Sequence, residues 1–164
     1  FAWSPEITIP TNTNGDHYVD WRVQLVNAGG NTPTPLPQAS RVTSYDVDGN
    51  NNYREIHGHV NPNGYILNNP TELTILNEPP FTTILGSTTE HADISDDSEV
   101  KGTFYYASQL LEFNIRLGAR VSSSNGTPNR QYAVSFEACP QFGNPVQIPS
   151  FQQFLVILIF VRMN

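Results

Sequence analysis

The stretch His17-Tyr18-Val19-Asp20-Trp21-Arg22-Val23-Gln24-Leu25 alternates between two sets of side chains with a period of two. Successive side chains of a strand point to opposite faces, so the stretch predicts a strand with one face on a core and one in water. His17, Val19, Trp21, Val23 and Leu25 make the core face, and Tyr18, Asp20, Arg22 and Gln24 the wet one. The pattern returns where Leu111, Phe113, Ile115, Leu117, Ala119 and Val121 alternate with Glu112, Asn114, Arg116 and Arg120. Tyr132, Val134, Phe136 and Ala138 mark a third strand, and residues 41–47, 53–60, 72–76, 81–85 and 103–108 are shorter candidates. No stretch has long helical periodicity. The expectation is a single all-β domain over 1–164, an antiparallel jelly-roll β-sandwich of about eight or nine strands.

The last strand breaks the alternation. Phe154-Leu155-Val156-Ile157-Leu158-Ile159-Phe160-Val161 is apolar throughout, so neither face suits water. It is too short for a membrane helix, which needs about 20 apolar residues, and it is rich in β-branched types. One face is expected on the sandwich core and the other under a further subunit, which makes these eight residues a candidate oligomer interface.

Composition agrees with a loop-rich β protein. Thirteen Pro, 11 Gly and 17 Asn are spread along the chain. The net charge is −7 and Lys101 is the sole lysine, so no basic arm is present to neutralise phosphates or an anionic membrane. Nucleic-acid binding by this segment is not expected. The one cysteine, Cys139, excludes an internal disulfide and reads as a buried or interface thiol. The chain starts at Phe1 instead of Met, from which a processed product or an excised domain is expected.

Two short stretches carry a family resemblance. Gly102-Thr103-Phe104-Tyr105-Tyr106 and Ser150-Phe151-Gln152-Gln153-Phe154-Leu155-Val156 resemble the two most recognisable strands of the TNF/C1q-like jelly-roll family. The resemblance implies a trimer whose final strand lies in the inner sheet, between the sandwich core and the threefold interface. The same resemblance is compatible with viral surface architecture, since jelly rolls build capsids and also the heads of fibres and spikes. The continuation through residues 157–164 goes beyond the family's terminal strand.

Three constellations bear on chemistry. Glu55, His57 and His59 share one strand face, the spacing of metal-ligating His-x-His pairs in cupins and other β-barrels. The acidic ligand expected after the second His is missing, and a third His would have to be His17 or His91. The bland reading is a strand face with partly exposed imidazoles. Asp46, Asp48, Asn50 and Asn52 repeat oxygen side chains as in calcium loops, but Asn51 and His57 stand where an EF-hand needs Gly and Glu. Asp48-Gly49 reads better as a hairpin turn between 41–47 and 53–60. The acidic run 90–99 reads as a solvated connection. Asn125-Gly126-Thr127 is a glycosylation sequon weakened by Pro128. No catalytic motif is found, and no metal or cofactor is expected to be required.

Function then rests on assembly. The first expectation is a structural or attachment protein, a jelly-roll subunit of a virus or phage particle, in a capsid or trimeric spike or fibre head. Localisation would be the virion surface or extracellular. It would form a trimer or larger shell and meet a host glycan or protein receptor through polar loops, represented by Thr32, Asn61, Asn63, Asn68, Asn69, Thr88, Asp96, Asp97 and Asn125. The alternative is a secreted carbohydrate- or ligand-binding β-sandwich using Trp3, Tyr53 or Tyr65 as a stacking platform. A cupin-like metal-dependent enzyme comes third.

Overall fold

The computed structural model describes residues 2–10, 13–27, 29–35, 40–107, 110–123, 129–136 and 157–162. Cys139, Phe154, Leu155, Val156 and Asn125 lie outside them. The described chain is an all-β sandwich of antiparallel sheets. Its strands are β1 (Ala2–Trp3), β2 (Glu6–Thr8), β3 (Gly15–Val26), β4 (Ser40–Tyr45), β5 (Tyr53–Val60), β6 (Gly64–Leu67) and β7 (Thr74–Glu78). They continue with β8 (Phe81–Leu85), β9 (Gly102–Tyr106), β10 (Glu112–Val121), β11 (Asn129–Gln131), β12 (Ala133–Ser135) and β13 (Ile157–Arg162).

One sheet has the order β1-β12-β4-β9-β6, a second β13-β3-β10-β5-β8-β7, and β11 pairs with β2 apart from both. The two long alternating stretches are β3 and β10, in register from Glu112 opposite Gln24 to Val121 opposite Gly15. Their inward residues Val23, Phe113, Ile115, Leu117, Ala119 and Val121 are buried against Val42, Phe104, Tyr106 and Val134 of the facing sheet. On the solvent face the same register puts Arg116 opposite Asp20 and Arg120 opposite Asp16, and each guanidinium takes its aspartate with two hydrogen bonds of 2.7–2.9 Å. The planar fork of arginine matches a carboxylate in this two-point way. Arg116 also lies between the rings of Tyr18 and Phe81.

Two sequence expectations change here. Residues 41–47 and 53–60 do not form a hairpin, because β4 and β5 belong to different sheets. The chain instead folds back on itself locally, with Asn50 N–H donating to Tyr53 O and Gly49 bridged to Arg54. A Cβ on Gly49 would stand 2.4 Å from Tyr53 O, so only glycine fits that close approach. The expected loop 61–69 contains β6, an edge strand held by β9. Of the two TNF-like stretches, Gly102–Tyr106 is β9, while residues 150–156 lie outside the described residues. β9 is in the five-stranded sheet, where β12 fills the place between β1 and β4, whereas β13 pairs with β3 at the border of the other sheet.

Candidate functional site

β5 runs through the middle of the six-stranded sheet with β10 on one side and β8 on the other. Its period of two sends Tyr53, Glu55, His57 and His59 to one face, and that face is the sandwich interior, where all four are buried. The expected partly exposed imidazoles are therefore corrected: Glu55, His57 and His59 are 0% exposed. Buried polar groups of this kind need partners, since a charge or an amide-like group taken out of water without one costs several kcal/mol.

Arg130, on β11, is the principal partner. Its Nη2 lies 2.7 Å from Asp48 Oδ1 and 2.9 Å from Glu55 Oε1, and its Nε donates to Glu55 Oε1 at 3.0 Å. Glu90 Oε1 is 3.4 Å from Nη1 and also accepts from the Tyr53 hydroxyl at 3.0 Å. The guanidinium carbon sits 4.6 Å from the centre of the Tyr53 ring, a cation–π contact. Asp48 is further tied by His91 N–H, which donates to its Oδ2 at 2.6 Å. Four segments, the 46–50 turn, β5, the 86–97 connection and β11, thus converge on one guanidinium.

The electrostatics follow from burial. Burial pushes the Glu55 carboxyl well above its usual range although Arg130 opposes the shift. Asp48 is also raised by burial, and Asp46 is raised to about 6 by burial and by the nearby Asp48 charge. Arg130 is desolvated too, but Glu55, Tyr53 and Asp48 outweigh that and hold it more firmly protonated. His57 and His59 are pushed down to about 3 by burial, so both are neutral near pH 7. His57 Nε2 shares a proton with Glu55 Oε2 at 3.3 Å, and His59 Nδ1 pairs with the Tyr106 hydroxyl at 3.2 Å. His59 stacks on Phe104 with centroids 4.2 Å apart. Among the described residues the opposite ring nitrogens, together with Asp46 Oδ1, Ser44 Oγ and the Tyr132 hydroxyl, have no hydrogen-bond partner.

As a metal centre the cluster is not assembled. Among the described residues no three His, Cys, Asp or Glu side chains are grouped as a metal would require. Neither candidate third histidine joins His57 and His59. His17 bonds to Thr13, and His91 reaches Glu72 through Nε2 and Asp97 through Nδ1. In the calcium-like run, Asp48 is spent on Arg130, so a protein cation holds the place that an ion would take. The cluster's chemistry is that of a buried clamp.

The polar positions expected to meet a receptor are mostly at the surface. Thr32, Asn61, Asn63, Asn69, Thr88, Asp96 and Asp97 are exposed and Asn68 is half-buried. Asp96 also binds Lys101 Nζ at 2.5 Å, and that lysine is buried to 2% exposure. Of the stacking candidates, Tyr53 is buried beneath Arg130 and Trp3 packs edge-on against Trp21, while Tyr65 is 46% exposed. An open recess of about 370 Å³ between β2 and β3 is lined by Ile7, Thr8, Asp16, His17 and Tyr18. Among the described residues no helix is long and apolar enough to cross a membrane, which leaves β-barrels unaddressed.

Comparison with protein-family models, curated proteins and solved structures finds no match to this chain.

Proposed function

We propose that this chain is a structural or attachment subunit, a jelly-roll domain that works by assembling with copies of itself and presenting polar loops to a host surface. The observation that carries the reading is the strand order. With the border strands β6, β7 and β13 set aside and β1, β3, β4, β5, β8, β9, β10 and β12 counted as first to eighth, the sheets run 1-8-3-6 and 2-7-4-5, so the chain passes repeatedly between two sheets. This interleaving is what a jelly roll requires, and jelly rolls build capsid and fibre-head shells. The apolar strand appended at a sheet border supplies the surface for assembly, as a trimer or a larger shell. A virus or phage particle is the setting that joins these features.

The test is the native mass of the protein by light scattering, for the wild type and for Leu155→Ser with Ile157→Ser. The wild type is expected to be oligomeric and the double variant insoluble or unassembled, because each buried Leu or Ile contributes roughly 1.5–3 kcal/mol. A soluble double variant of unchanged mass would sink the reading. A strictly monomeric wild type would favour the alternative, a secreted sugar- or ligand-binding module, for which the exposed Tyr65 ring speaks.

A further inference from the structure

The two larger described sheets end in four border strands, and three of them are poor templates for another chain. β1 has two residues. β6 has four and is bounded by Asn-Pro on both sides, at 61–62 and 69–70. β7 has five residues, of which Thr74, Asn77 and Glu78 are polar, and it ends in the Pro79-Pro80 turn into β8. Short length, proline and charge are the means by which proteins keep sheet edges from pairing with other chains. β13 is the longest of the four at six residues, has no proline, and carries its one charge, Arg162, at its last position. It pairs with β3 over the whole of Ile157–Arg162, and among the described residues nothing pairs with its other side. Its first five residues, Ile157 to Val161, carry neither charge nor proline.

We infer that β13 is the contact between two copies of this chain, paired antiparallel with its own twofold mate so that the six-stranded sheet continues from one subunit into the next. This rests on the assembly reading above and names the partner and the mode. Two features select the second copy's β13 over its other borders. The other three edges are blunted, so a head-to-tail contact with one of them is disfavoured, whereas an antiparallel self-pair is isologous and closes. Centring the pair on Ile159 sets Ile157 opposite Val161 of the partner subunit and Leu158 opposite Phe160 of the partner subunit. Arg162 falls outside the paired residues, so no like charges meet. In a trimer of such subunits the contact joins one trimer to the next.

The experiment uses the full chain with Cys139→Ser as background and Ile159→Cys as probe. Residues directly opposite in an antiparallel pair have Cα atoms about 4.5–5.5 Å apart, within reach of a disulfide. Mild oxidation should give a covalent dimer in high yield, while Leu76→Cys on β7 in the same background should not. Separately, Ile159→Lys should lower the native mass at least twofold with an unchanged far-ultraviolet circular dichroism spectrum. An oligomeric wild type in which Ile159→Cys does not cross-link and Ile159→Lys keeps the full mass overturns this contact and leaves the assembly reading standing. A monomeric wild type overturns both.

Discussion

Arg130 shows how much a single side chain can carry in a sandwich core. It meets Asp48 and Glu55, which are 82 and 75 residues away in sequence, and Glu90, 40 residues away. Replacing it with methionine keeps much of the volume but leaves two buried carboxylates without their cation, a loss of about 3–5 kcal/mol. Urea unfolding at pH 7 should show that deficit. It should narrow towards pH 5, because Arg130 lowers the pKa of both carboxyls, so in the variant Asp48 and Glu55 take up protons at higher pH than in the wild type and the uncompensated charge is removed. The buried imidazoles work in the opposite sense. His59 has a folded pKa of about 3 against an ordinary 6.5, so the unfolded chain binds a proton that the folded chain refuses as the pH falls from 6.5 to 3. In His59→Phe that liability is gone. The stability of wild type relative to this variant should fall by up to about 1.4 kcal/mol per pH unit across the window. Parallel stability curves would mean that His59 is not held neutral by the core. Arg130 was hidden in the sequence because it sits in a polar stretch among Ser, Asn and Pro, and nothing local connects it to carboxylates so far away. The face shared by Glu55, His57 and His59 was readable from the strand period, but its direction was not. Three polar residues suggest an outward face until Arg130 and Tyr106 are known to satisfy them.

At the scale of elements, what was legible is what carries its own pattern. β5 and β8 have the bounds expected from their β-branched and alternating residues, and β3 and β10 extend over the two long alternations. β2, β6 and β11 were not expected, being three or four residues long and rich in polar or turn-forming types. They are strands because partners are present: β6 is held by β9, and β2 and β11 hold each other. The same dependence on neighbours makes Gly118 critical to the β3–β10 pair. A Cβ there would stand 2.0 Å from His17 O and 2.5 Å from Tyr18 Cα. Gly118→Val should therefore force the two strands apart and lower stability by about 1–3 kcal/mol, read as a drop in the melting temperature. Faster hydrogen exchange at residues 15–20 than at 81–85 would place the damage at that pair.

For the whole molecule, sandwich architecture could be read in advance but the placement of the last strand could not. An apolar run of this length does not say by itself which sheet it joins or where, and only the pairing of β13 with β3 places it at the border of the six-stranded sheet. If recognition lies in the loops, exchanging Asn69 and Thr88 for lysine should weaken attachment to a host surface without changing the native mass, since both side chains are exposed. Loss of assembly in that variant would assign these positions to a subunit contact instead. The pairing of β3 also sets the timing of synthesis. Gln24 waits for Glu112, 88 residues later, and the far side of β3 waits for β13. A growing chain thus makes its longest described strand early and holds it unpaired until Glu112, 88 residues after Gln24, has been added. During that interval Val19, Trp21 and Val23 have no sheet to enter, and an unpaired apolar strand of this kind is the aggregation-prone surface that chaperones cover.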